Sequence, residues 1–291
     1  MHPLISTETL AAALAGAVPP VVVDVRWRLG GPPGRQDYEV GHLPGAHYLD
    51  LDTDLSSAPG AGGRHPLPSA EHLQRVLRSV GVREGHPVVA YDTGDGSVAA
   101  RLWWLLRWAG HTEAAVLDGG FAAWVAEGRP VTTEVPSAEA GDVVVRPGGM
   151  PVVDAEEAAA LARDGVLLDA RAPQRYRGEV EPVDPRAGHI PGALNAPSSG
   201  HVDGGGRWLG PAALAERFRE IGVRPGARVG AYCGSGVTAS SVVLALEVAG
   251  VTGVDRPAEL YAGSWSHWCV DPARPVATGD GVEGGGESER S

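Results

Sequence analysis

The chain has 291 residues, 43% of them hydrophobic and 21% charged, with two cysteines and a formal net charge of −12. That length accommodates two cores of ordinary size, and that charge leaves no basic stripe to neutralise nucleic-acid phosphates. No apolar run is long enough for a membrane span, and Cys233 and Cys269 cannot supply a disulfide framework, so a reducing, cytoplasmic setting is expected.

The alanine-rich segment Leu10–Ala17 reads as a helix, with Ser6 as N-cap and Glu8 in the first turn. No Lys or Arg precedes it, as a signal peptide would require. Next come a short strand ending on an aspartate, Val21-Val-Val-Asp-Val-Arg26, the stretch Gly41-His-Leu-Pro-Gly-Ala46 and a helical segment from Ser69 to Val80. A second β-branched run then leads from Val80 to Asp92, and Gly119-Gly-Phe-Ala-Ala-Trp124 closes the set. The whole series recurs in the same order. Val166-Leu-Leu-Asp-Ala-Arg171, Gly188-His-Ile-Pro-Gly-Ala193, the helical stretch from Pro211 to Ile221, the run from Ile221 to Cys233, and Gly263-Ser-Trp-Ser-His-Trp268 answer their counterparts. This is a tandem duplication of one domain.

Helical stretches alternating with short apolar runs predict an α/β fold, each copy a parallel sheet flanked by helices. Residues 1–131 form the first copy and 152–276 the second. Residues 132–151, rich in Pro, Gly, Glu and Ser around one short run at Val143–Val145, read as a linker crossing the surface, and 277–291 read as an unstructured tail. Trp103, Trp104 and Trp108 lie at helical spacing and point to core or interdomain packing. Cys269 reads as a buried structural thiol.

Ligands of parallel sheets bind beyond the carboxyl ends of strands, and Cys233 sits at such an end. The strand 228–232 runs into Cys233, then Gly234-Ser-Gly-Val-Thr238, then a helical segment from Ala239. In a strand, tight loop and helix of this kind the main-chain N–H groups converge and favour negative charge. A thiolate is held there as a nucleophile, and Gly234 and Gly236 let the backbone approach whatever the sulfur carries. The first copy has Asp92 at this position and a further carboxylate, Asp95, in its loop. It is expected to serve as a structural partner that covers the second copy's site.

A tandem α/β repeat with Gly-His-x-Pro-Gly-Ala in each half and Cys-Gly-Ser-Gly-Val-Thr in the second resembles the rhodanese sulfurtransferases over roughly residues 4 to 272, most of all those that use 3-mercaptopyruvate. The resemblance implies that Cys233 takes a sulfane sulfur, becomes a persulfide and passes the outer sulfur to a thiol such as thioredoxin, to a small thiol or to cyanide. The amides from Gly234 through Val237 to Thr238 would hold that anion. By motif position it also implies a proton relay of Ser235, His65 and Asp52, and a donor-binding arginine at Arg175, with Arg186 or Arg177 as the second. It calls for no metal and no cofactor. Family members that use thiosulfate typically carry basic residues in this loop, and none stands between Cys233 and Ala239. The expected donor is therefore 3-mercaptopyruvate, with thiosulfate as the alternative and a non-enzymatic sulfur carrier or redox partner-binding module as the other. A cysteine phosphatase would need an arginine at position 239, where alanine stands.

Overall fold

A computed structural model describes residues 1–280. In the first copy the elements are β1 (Leu4–Ile5), α1 (Thr7–Leu14), β2 (Val21–Asp24), α2 (Gly34–Val40), β3 (His47–Tyr48), α3 (Ala70–Ser79), β4 (Val88–Tyr91), α4 (Ala99–Trp108), β5 (Ala114–Leu117) and α5 (Gly120–Ala126). The five strands form one parallel sheet in the order β1-β5-β4-β2-β3. β4 and β5 are buried at every residue, because helices cover both faces of a parallel sheet and leave no side for polar alternation. The helix signals work as read: the Ser6 hydroxyl accepts from the Thr9 N–H and Ser69 from that of His72.

The second copy contains α6 (Ala155–Asp164), β6 (Val166–Asp169), α7 (Pro173–Tyr176), β7 (Leu194–Asn195), α8 (Pro211–Ile221), β8 (Val229–Tyr232), α9 (Ala239–Val248), β9 (Glu259–Leu260) and α10 (Ser264–Trp268). Its parallel sheet runs β7-β6-β8-β9. A single parallel bridge between Val152 and Leu260 stands where β1 lies in the first copy. Among the described residues no helix is long and apolar enough to cross a membrane.

The duplicated motifs perform the same fold-holding task twice. Arg26 ties Asp24 to the Gly41 carbonyl, and Arg171 ties Asp169 to that of Gly188. His42 and His189 bond the carbonyls of Tyr38 and Tyr176, against whose rings they stack.

α4 and α9 pack against each other and join the copies. Trp103 and Trp104 are wholly buried in a core that draws on both copies, and the buried pair Arg107 and Glu247 closes the contact at 3.0 Å. Two segments differ from expectation. The stretch 132–151 is anchored rather than merely laid over the surface: Val143, Val145 and Met150 enter that core, and the Val143 carbonyl accepts from Arg78 Nε. Its few apolar residues are enough to pin it. Of the tail from 277, Ala277 pairs with His189 and the Gly279 N–H with the Arg177 carbonyl, so 277–280 are held by backbone bonds that need no apolar side chain. Residues 281–291 lie outside the described residues.

Candidate active site

β8 delivers Cys233 to the end of its sheet, and the loop 234–238 turns at once into α9. Cys233 is 2% exposed, and its sulfur accepts the Gly236 N–H at 3.1 Å. Gly236 has φ +80°, and a Cβ there would lie 2.4 Å from the Ala262 carbonyl oxygen, so both backbone and space demand glycine. The loop's carbonyls face outward: those of Cys233 and Gly234 accept from the N–H groups of Trp265 and Ser266 on α10, each at 2.9 Å. A trans peptide sends its N–H the opposite way. The N–H groups of Gly234 and Ser235 therefore point away from α10, and among the described residues those of Gly234, Ser235, Val237 and Thr238 meet no protein acceptor. Ser264, the one non-glycine residue with positive φ among those described, holds the Cys233 N–H through its hydroxyl at 3.1 Å.

The first copy shows what such a ring of amides prefers. There the Asp92 carboxylate accepts four N–H groups, from Gly94, Gly96, Val98 and Ala99, at 2.9 to 3.1 Å. The cradle is filled by its own side chain. Burial, then Asp95, push that carboxyl up to about 6 while the amides pull against them. A second change accompanies the first: Gly205-Gly-Arg-Trp208 repeats Gly62-Gly-Arg-His65, and the Trp208 ring, not a histidine, packs over Gly96.

The first copy also supplies the wall of the second copy's site. His65 Nδ1 lies 2.7 Å from the Ser235 hydroxyl, and Nε2 lies 2.9 Å from Asp52 Oδ1. With Asp52 as acceptor, the ring proton sits on Nε2 and Nδ1 is free to accept from Ser235. Burial lowers the affinity of His65 for a second proton, an effect that Asp52 partly offsets. Trp27 braces the line: its indole N–H donates to Asp52 Oδ2 at 2.9 Å and its ring meets the imidazole edge-on at 5.4 Å. Ser235, His65 and Asp52, far apart in sequence, are thus joined.

Of the arginines, Arg175 sits beside the loop and Arg186 does not serve it. Arg175 is bonded to Glu181 at 2.6 Å and Asp184 at 3.2 Å through Nη2, and its Nη1 would come within 3.5 Å of a Cβ on Gly234. Arg186 spends its guanidinium on the carbonyls of Asp271 and Arg274, tying down the end of the domain. Arg177 pairs with Glu179. The second cation is instead Arg64, whose Nη2 would be 3.1 Å from that Cβ and whose Nη1 bonds Asp184 at 2.7 Å. Sequence reasoning missed Arg64, although its place directly before His65 was the available signal. Cys269 is buried and its thiol is pushed up by that burial.

The rhodanese-like domain family matches residues 6–127 and 154–271. The chain is 45% identical over 283 residues to a Mycobacterium tuberculosis protein named "Putative thiosulfate sulfurtransferase SseB", covering 95% of this chain and 97% of that one. It is 46% identical over 284 residues to a Pseudomonas aeruginosa protein named "Probable 3-mercaptopyruvate sulfurtransferase", covering 95% and 98%. The crystal structure of a 3-mercaptopyruvate sulfurtransferase from Escherichia coli superposes with a TM-score of 0.80 at 29% identity, over 91% of this chain and all of that one.

Proposed function

The chain belongs to the rhodanese family, and from that premise we propose that it is a sulfurtransferase that takes its sulfur from 3-mercaptopyruvate and carries it on Cys233. Relatives of nearly equal similarity bear the names of both donors, so the choice rests on chemistry. The observation that carries it is the hydrogen-bonded line from Asp52 through His65 to Ser235, ending in the Cys233 loop.

Such a line has a task with one donor only. Thiosulfate releases sulfite, which needs no proton. Mercaptopyruvate brings a thiol proton and releases pyruvate enolate, which must be protonated at carbon. Ser235 and neutral His65 accept the thiol proton, Asp52 supporting the imidazolium. The Cys233 thiolate attacks the donor sulfur, the carbon–sulfur bond breaks with its electron pair passing to the enolate, and the proton returns to carbon. Persulfide and pyruvate result, with no net proton taken up. The open amides of Gly234, Ser235, Val237 and Thr238 suit the charge on the outer sulfur. Arg175 and Arg64 flank the loop where the donor carboxylate would lie. A second thiol then removes the outer sulfur and regenerates Cys233. Such thiol chemistry needs reducing surroundings, which we take to be the cytoplasm.

The two cations beside the loop also favour a second reading, since they would suit the sulfite end of thiosulfate. A ratio of kcat/KM for the two donors with a common dithiol acceptor decides between them. Preference for mercaptopyruvate is expected, and the reverse would overturn the donor while leaving the persulfide. Mass spectrometry after loading should find one added sulfur on the Cys233 peptide.

A further inference from the structure

Arg101 lies on α4 of the first copy, yet its side chain ends at the second copy's catalytic loop. It is wholly buried. Nη1 donates to the Gly236 carbonyl at 3.3 Å, and Nη2 to the carbonyls of His65 at 3.1 Å and of Leu55 and Pro66 at 3.4 Å. Among the described residues Nε has no partner and no carboxylate pairs with the guanidinium. A guanidinium remains charged even here, where burial pushes it down only to about 10, and an uncompensated buried charge is strongly unfavourable. The other buried arginines, Arg26, Arg107 and Arg171, each have an acid. The anion missing from this account is the sulfur: Gly236, whose carbonyl Arg101 holds, donates its N–H to Cys233 Sγ.

We infer that Arg101 is the counter-charge for the sulfur on Cys233, supplied across the interface by the copy that lacks a cysteine, and that it fixes the loop relative to His65. It is a positioning residue, touching neither donor nor sulfur. By pinning the Gly236 carbonyl it turns the Val237 N–H the opposite way, and by bonding the His65 carbonyl it sets that ring against Ser235. The other two cations beside the loop already have acids to balance them, Arg64 in Asp184 and Arg175 in Glu181 and Asp184, and His65 is neutral. Among the described residues around the loop, Arg101 alone has positive charge with no acid beside it.

The inference rests on Cys233 being the sulfur carrier, but its first readout needs no donor. Iodoacetamide alkylation of Cys233, followed by peptide mapping across pH, reads the anion directly. Arg101→Met and Arg101→Gln should slow alkylation at pH 7 about tenfold and move the midpoint of the profile up by about one pH unit. Arg101→Lys should restore the midpoint but not mercaptopyruvate turnover, since one ammonium cannot span the carbonyls of Gly236 and His65 together. Wild-type profiles in folded Arg101→Met or Arg101→Gln would overturn the inference. Should neither variant fold, Cys233→Ser decides: its Tm should fall below that of wild type by more at pH 8.5 than at pH 5.5. An equal gap at both would overturn the counter-charge. Failure of Cys233 to accept sulfur from either donor, with a normal alkylation profile, would sink the proposed function instead.

Discussion

The Ser235 hydroxyl has one partner in the relay, His65 Nδ1 at 2.7 Å, and that contact separates the two donors experimentally. Ser235→Ala should lower kcat with mercaptopyruvate by about 10²-fold or more, the usual scale of general acid–base help, and should change thiosulfate turnover less than about tenfold. Equal losses with both donors would mean that the hydroxyl only shapes the loop. The pH dependence follows from the same contact. Burial holds His65 below its ordinary value of 6.5, so the ring is neutral at pH 7 and can accept a proton. Mercaptopyruvate turnover should therefore fall in acid with a midpoint below that ordinary value, and this acid limb should vanish from the residual activity of His65→Ala. Arg64 and Arg175 invite a simpler measurement. Alanine at either should raise KM for mercaptopyruvate about 10- to 100-fold, the worth of one charge-assisted hydrogen bond, whereas Arg186→Ala should act on stability through the segment it ties.

The two strand-to-helix loops are one element with two fillings, and their difference is physical. Both hang their first two carbonyls on the last helix of their copy, Asp92 and Thr93 on Phe121 and Ala122 of α5 as Cys233 and Gly234 do on Trp265 and Ser266 of α10. Both aim their amides inward. A fixed carboxylate satisfies four amides in the first, and in the second the proposed sulfur anion would take that place. Asp92→Ala should strip four amides, three of them buried, of their acceptor. It should cost about 2–4 kcal/mol, at roughly 1 kcal/mol or less per amide after partial relaxation, read as a lower urea midpoint. Restoring the nucleophile should not restore mercaptopyruvate chemistry: Asp92→Cys should acquire no sulfur after exposure to mercaptopyruvate, because Trp208 occupies the position corresponding to His65.

At the scale of the molecule the two copies share one core, and the proposed site draws on both. α4 and α9 close a common core, and the second copy's site borrows Asp52, His65, Arg64 and Arg101 from the first. Tryptophan fluorescence and activity should be lost together in a single urea transition, and residues 152–276 expressed alone should have no mercaptopyruvate activity. Acid should weaken the fold through a residue remote from the relay. His201 is 1% exposed, stacks near Trp208 and Phe218, and among the described residues has no partner on either ring nitrogen. Burial first, then Arg217, lower it to about 3. The unfolded chain therefore takes up a proton near pH 6.5 that the folded chain refuses, so stability drops as pH falls, by up to about 1.4 kcal/mol per unit from this group. His201→Phe should flatten the decline in urea midpoint between pH 7 and pH 5.

The sequence by itself determined whatever is written locally and twice. The repeat, the parallel α/β architecture and the loop around Cys233 follow from short-range backbone preferences and apolar patterning, which act within a few residues. Family position was enough to nominate Ser235, His65 and Asp52, but their union across 170 residues is a property of the docked copies. Tertiary structure alone chose among the arginines. A guanidinium on a long flexible stem can reach in many directions, so Arg186 turned to the carbonyls of Asp271 and Arg274 while Arg64 arrived from the other copy. Arg101 was the least legible of all. In the sequence it is one charge in a helix of tryptophans and leucines, and only the packing of α4 against α9 leaves it buried without an acid beside the reacting sulfur's loop.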